Sequence, residues 1–163
     1  MIHAPIPLNE KERLEAVKAM GVLDTPKEER FDKLTEEAAI KLNVPISAIS
    51  VIDEGREWYK SCFGLDQRQG ERAISFCGHA IESEEIFIVE DTLEDERFKD
   101  NPYVVGPPYI RFYAGIRLFD RKTKHPVAVL CVKDKKPRKL NMQELSTILD
   151  IAQRAENELN RVS

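Results

Sequence analysis

Cysteine is scarce in this chain of 163 residues: Cys62, Cys77 and Cys131 are an odd number at wide spacing. That excludes a disulfide framework, which needs paired cysteines and an oxidising compartment, and predicts free thiols in a reducing one. CxxC and HxxxH pairs are also missing, and structural zinc sites usually take two ligands from one short motif. Cys62, Cys77, His79, His125 and Cys131 are therefore not read as a metal centre. No apolar run approaches the roughly 18 residues of a membrane span, and Met1 to Pro7 lacks the charged start and apolar stretch of a signal peptide. A cytoplasmic location, away from any membrane, is the expectation. Neither sign of charge dominates, since 25 basic and 29 acidic residues are interleaved to a net −4. Nonspecific affinity for nucleic acid needs clustered Lys and Arg, so nucleic acid is not an expected partner. The one basic run, Lys133 to Lys139, reads as a solvated loop after a strand, with an anion contact as its alternative.

What is present is a globular composition, 42% hydrophobic and 33% charged, in a length that suits one domain spanning 1–163. Three places carry a capping side chain followed three residues later by Glu, the pattern that satisfies orphan donors of a helix's first turn. They are Asn9 with Glu12, Thr25 with Glu28, and Asn141 with Glu144. At the second, Pro26 would take the first helical position. Helices near 9–20, 26–43 and 141–161 follow. The second places Phe31, Leu34, Ala38 and Leu42 on one face, as a helix lying on a sheet does. In the last, Leu145, Ile148, Ala152, Ala155, Leu159 and Val162 recur at steps of three and four. That fits either a coiled-coil seam, and so a homodimer through the terminal helices, or an ordinary amphipathic helix on its own domain.

Between the helices the pattern shortens to strands. Ile46 to Asp53 and Arg56 to Gly64 flank Asp53-Glu54-Gly55 and read as a hairpin. Ile86 to Val89 is a short strand. Phe112 to Phe119 and Val127 to Val132 form a second hairpin, whose uniformly apolar second arm suits a central strand covered on both faces. The segment from Asp91 to Arg111 is long and rich in Asp, Asn, Pro and Gly, yet it carries Phe98, Tyr103, Val104 and Tyr109, so it reads as a folded-down lid. Asp95, Arg97 and Asn101 are expected to close that lid through hydrogen bonds to backbone. The order gives an α+β domain with an antiparallel sheet and helices packed against it.

Several stretches together resemble a known family. They are Glu12-Arg13-Leu14 through Leu23-Asp24-Thr25-Pro26 with Glu29-Arg30-Phe31-Asp32; Ser75-Phe76-Cys77-Gly78-His79-Ala80-Ile81; Asp95-Glu96-Arg97-Phe98 with Asn101-Pro102; Gly106-Pro107-Pro108 with Ile110-Arg111-Phe112-Tyr113-Ala114-Gly115; and Leu130-Cys131-Val132. In this order they resemble the GAF domains at the head of bacterial histidine kinases and diguanylate cyclases. The resemblance implies five or six antiparallel strands, a pocket between sheet and lid, and sensing of an unidentified small molecule. It also implies relay to a kinase or GGDEF output domain, in a longer protein or in trans. The chain departs from the family at Ala128, where Gly is usual, and at Lys133, which puts an ammonium group near a strand end in place of a small apolar residue.

The expected cleft is bordered by Trp58, Tyr59, Ser75, Cys77, His79, Asp91, Arg111 and Tyr113, a mixture of apolar and convergent polar groups suited to ligand binding. The local alternative keeps Trp58 as a core aromatic, pairs Arg111 with Asp95 and makes Asp91 a turn cap. Cys77 and His79 lie two residues apart, and an imidazole can activate a neighbouring thiol. Residues two apart on a helix point about 200° from each other, so Cys77 is expected to pack in the core and His79 to bond to backbone or lid. No catalytic residue is assigned. A thiol enzyme such as a free methionine sulfoxide reductase is the alternative, with Cys62 and Cys131 in strands and not obviously within reach of Cys77. A dimerisation module with a vestigial pocket is the third reading.

Overall fold

The computed structural model describes residues 1–161. Two helices, α1 (Glu10–Met20) and α2 (Glu29–Leu42), lead into the hairpin β1 (Ile46–Ile52) and β2 (Arg56–Phe63). A short β3 (Gln69–Glu71), the single-turn α3 (Phe76–Ala80) and β4 (Phe87–Val89) follow. The lid contains the short α4 (Pro102–Val105), after which come β5 (Phe112–Phe119), β6 (Pro126–Asp134) and α5 (Met142–Asn160). The strands form one open antiparallel sheet in the order β3-β2-β1-β6-β5-β4. This is the expected α+β architecture, with β6 central and buried along almost its whole length.

Alternation of side chains across the sheet sorts the core into two layers. On one side Ile49, Val51, Leu130 and Val132 meet the apolar faces of α2 and α5. Burying each of the larger side chains there, such as the fully enclosed Phe31, contributes about 1.5–3 kcal/mol. On the other side Ala48, Tyr59, Tyr113, Val129 and Cys131 meet α3 and the lid residues Phe98, Val104 and Ile110. The α5 residues Ile148, Ala152, Ala155 and Leu159 are all buried in the first layer. The heptad-like spacing is therefore used inside the domain, while Val162 lies outside the described residues.

The capping expectations divide. Asn141 accepts from the Glu144 amide at 2.8 Å, and the Glu144 carboxylate accepts from the Asn141 amide at 3.1 Å, a complete capping box. Asn9 makes no cap bond; its side-chain amide meets His125 Nδ1 at 3.3 Å instead. The second helix begins at Glu29 and not at Pro26. Its intended box is taken apart by Lys60, a fully buried ammonium that donates to Thr25 Oγ1 at 2.8 Å and to the Pro26 carbonyl at 2.6 Å and pairs with Glu28 at 2.7 Å. Lys60 is itself the extra residue of a β-bulge, since Ile49 pairs with Ser61 and Ser50 with Tyr59.

Helix α1 has little apolar face of its own and is held by charge. Arg13 and Arg72, both essentially buried, converge on Glu10, with Arg13 Nε at 2.8 Å and Arg72 Nη1 at 2.5 Å. Arg72 Nη1 also donates to the Asp53 carbonyl in the β1–β2 turn at 3.0 Å. Burial works to raise the Glu10 pKa, but hydrogen bonds from the two guanidinium groups outweigh it and hold the carboxyl at about 2.

Candidate functional site

The lid lies down on the sheet for identifiable reasons. Asn101 caps α4 by accepting from the Tyr103 amide at 2.9 Å, and its Nδ2 donates to the Ile74 carbonyl at 2.9 Å. Asp95 accepts from the Arg97 amide at 2.9 Å and is gripped by the same residue's guanidinium. Phe98 stacks on Phe76 of α3 with centroids 4.5 Å apart, and Phe76 in turn stacks on Tyr113 of β5 at 5.2 Å. Arg111 does not pair with Asp95; its Nη1 donates to the Val104 carbonyl at 2.8 Å and so fastens the end of the lid.

Beneath this roof a cavity of about 290 Å³, including its mouth, is lined by Tyr59 and Lys133 from the sheet, Leu65 and Gln67 from the loop after β2, Phe76 from α3, and Tyr103, Pro108 and Ile110 from the lid. Its closed part holds little more than one water molecule. Lys133 is only 7% exposed, and among the described residues its ammonium makes no hydrogen bond or ion pair. The nearest ring, Phe76, lies 6.0 Å from Nζ. Close by, Glu57 is fully buried on the same face of β2, and its Oε1 has no hydrogen-bond partner. Burial pushes the Glu57 carboxyl up against the pull of Lys133. Burial likewise acts to discharge Lys133, and the acidic side chains of Tyr59, Cys131, Glu57 and Cys77 outweigh it and hold its pKa well up.

A wider groove lies beyond Tyr59, lined by Lys27, Asp32, Glu36, Asp66 and Arg68 among others. Lys27, Glu36 and Asp66 are exposed there. It therefore holds no desolvated charge comparable to Lys133, which is why the smaller cavity is the stronger candidate.

The sequence-derived residues separate accordingly. Tyr59 lines the cavity. Trp58, next to it on the strand, faces the opposite way into the helix-side core, with the Arg68 guanidinium 4.9 Å from its ring centroid. Ser75 caps α3 by accepting from the Gly78 amide at 2.8 Å. His79 meets the Ile2 carbonyl through Nε2 at 3.2 Å and contacts Phe98 edge-on; burial lowers its pKa. Asp91 caps a turn by accepting from the Leu93 amide at 3.1 Å, at the sheet edge and away from the cavity. Tyr113 is fully buried and donates its hydroxyl to Cys77 Sγ at 3.0 Å.

The thiols are the clearest departure from expectation. Cys131 is within hydrogen-bonding reach of Cys77, because β6 runs directly beneath α3, and both are wholly buried. Burial opposes ionisation, but donation from Cys131 and Tyr113 brings Cys77 down, and the same shared proton, with burial, drives Cys131 well up. Cys62 is half-buried, and burial raises its pKa. Among the described residues no cluster of His, Cys, Asp and Glu has the geometry of a metal centre.

The open six-stranded antiparallel sheet carries its long helices on one face and the lidded cavity on the other. The chain belongs to the GAF domain family, whose description matches residues 26–159. It is 40% identical over 138 residues to a cyclic di-GMP phosphodiesterase of Pseudomonas aeruginosa, covering 85% of this chain and 23% of that protein. The chain thus spans about a quarter of the curated relative it matches. Among solved structures it is similar to the GAF domain of an Acinetobacter phosphoenolpyruvate-protein phosphotransferase, with a TM-score of 0.67, 18% identity, and 91% and 92% of the two chains covered. It is also similar to a type II free methionine-R-sulfoxide reductase from Thermoplasma acidophilum, with a TM-score of 0.61, 12% identity, and 92% and 95% covered. At those identities the structural likeness speaks for the fold alone.

Proposed function

We propose that this GAF domain is a regulatory, non-catalytic binder of a small molecule, which enters the cavity between Tyr59 and the lid. The observation that carries the reading is Lys133, a lysine only 7% exposed whose ammonium has no hydrogen-bond or ion-pair partner among the described residues, at the wall of a cavity. Isolated buried charges are costly, and native proteins compensate them. Because the lid residues Phe98, Val104 and Ile110 pack on the same face as α3, occupancy would favour the closed lid. The consequence is relayed to an output domain such as a kinase or GGDEF domain, in a cytoplasmic protein. The relative in Pseudomonas, of which the matching stretch is a minor part, supports a regulatory segment attached to a larger catalytic chain. Native mass spectrometry of freshly purified protein, with hydrogen exchange across 91–111, tests the reading. A retained small molecule whose removal speeds exchange of the lid amides is expected; lid exchange indifferent to every bound compound would refute it.

The adjacency of Cys77 and Cys131 favours a second reading, a thiol-dependent reductase of a small oxidised substrate such as free methionine sulfoxide. Turnover with thioredoxin and methionine sulfoxide, lost on Cys77→Ser, would establish it; full burial of both thiols argues against it. A dimerisation role is less well supported, because the α5 seam is occupied internally. A homodimer through the terminal helices would have to use the outer strip that includes the exposed Met142 and Leu149.

A further inference from the structure

The sheet carries two lysines that are almost fully withdrawn from water, and they are solved in opposite ways. Lys60, on the helix side, spends its ammonium on Glu28, Thr25 and the Pro26 carbonyl. Lys133, on the lid side, has no such set and instead borders the cavity. The surroundings of Lys133 do not allow the nearest acid to complete it from within. Glu57 sits on β2, two strands away in the order β2-β1-β6, and among the described residues the two form no ion pair, so neither group satisfies the other. The rest of the wall is uncharged: Phe76, Leu65, Ile110 and Pro108 are apolar, and Gln67, Tyr59 and Tyr103 are polar without charge. One cation little exposed to water, a set of neutral polar side chains and an apolar floor form an environment suited to a single negative charge on a short hydrocarbon body. A cation would meet Lys133 as a like charge. A polyanion would find only one compensating cation in the cavity wall.

We propose that the ligand class of this cavity is a small monocarboxylate, its carboxylate paired with Lys133 and its apolar body packed on Phe76 and Ile110. This rests on the cavity being the ligand site, and the test separates the two ideas. Propionate, propionamide and propylammonium are matched in shape and differ in charge. Each is titrated into the full chain at constant ionic strength set with sodium chloride, followed by calorimetry and by amide shifts of Ile110 and Tyr103. Propionate is expected to saturate and to bind at least about tenfold more tightly than propionamide, a gap of about 1.4 kcal/mol. Lys133→Met, which keeps the length and apolar stem, is expected to abolish that gap while melting no lower than the parent. Binding of propionamide or propylammonium in preference to propionate would overturn the carboxylate assignment and leave the cavity as a ligand site. Absence of any saturable shift with all three would overturn both. A Lys133→Met protein that melts clearly below the parent would show Lys133 to be a structural partner and would also overturn the assignment.

Discussion

Replacing Glu10 by Gln removes the one carboxylate on which Arg13 and Arg72 converge, while leaving the size of the side chain almost unchanged. The folded protein holds that carboxyl at about 2 against an ordinary 4.5, and a shift of that size corresponds to a ceiling of about 3.4 kcal/mol at 1.36 kcal/mol per pH unit. The side chain is 16% exposed, so water screens part of the interaction, and about 2–3 kcal/mol is the expected loss near neutral pH. The sign follows from linkage. A carboxylate whose pKa is depressed by folding contributes its full stabilisation above about 4.5 and loses it as the pH falls towards about 2. The difference between parent and variant should therefore shrink across that window and be nearly gone at its lower end. Urea denaturation at a series of pH values measures it, with fluorescence of the single, buried Trp58 as the reporter. A gap below about 0.5 kcal/mol at neutral pH, or one that stays constant down to about pH 2, would refute the idea that charge holds α1 in place.

Other consequences can be checked with the same denaturation assay. Asn141→Ala breaks the capping box and should cost about 1 kcal/mol. Gly78→Ala would place a methyl group 2.7 Å from Ala4 Cβ and 2.8 Å from the Arg72 carbonyl oxygen, so a loss of about 1–3 kcal/mol is expected, together with faster exchange of the Ala4 amide that now bonds to Ala73. Leu159→Lys puts an ammonium into the helix-side core, where Leu159 is fully enclosed. It should lower stability by about 3 kcal/mol or more at every protein concentration, which size-exclusion chromatography would distinguish from loss of a dimer. Trp58→Phe should leave any ligand binding under the lid unchanged in calorimetry, because Trp58 faces the other core layer.

Local signals were legible at Asn141 and Glu144 but not at Asn9 and Glu12, where Asn9 meets His125 instead of capping. The Asn141 and Glu144 box needs only residues three apart. The two long hairpins follow from alternation and turn composition, and β6 was readable as a central strand from its unbroken apolar run. The Thr25 and Glu28 box failed because its partners are claimed by Lys60, a residue far along the chain that a bulge turns inward. Trp58 and Tyr59 were both placed at the cleft, although neighbours on a strand point to opposite faces; alternation alone allowed only one of them. Lys133 reads from the sequence as the start of a solvated basic loop, whereas it lies inside β6 and is buried; its lack of a partner depends on packing that no spacing reveals. The contact between Cys77 and Cys131 is likewise a product of tertiary structure. The short β3 carries no apolar pattern to announce it, being Gln69, Gly70 and Glu71.

The middle of the sheet joins β1 to β6, so that Ile46 lies opposite Lys133 in the register. Those partners lie far apart along the chain, and the entropy of closing so large a loop has to be met before either strand gains its neighbour. Refolding should accordingly be slow for a molecule of this size, in milliseconds to seconds rather than microseconds. During synthesis the hairpin of β1 and β2 has to wait with one edge bare until the last strand, β6, leaves the ribosome.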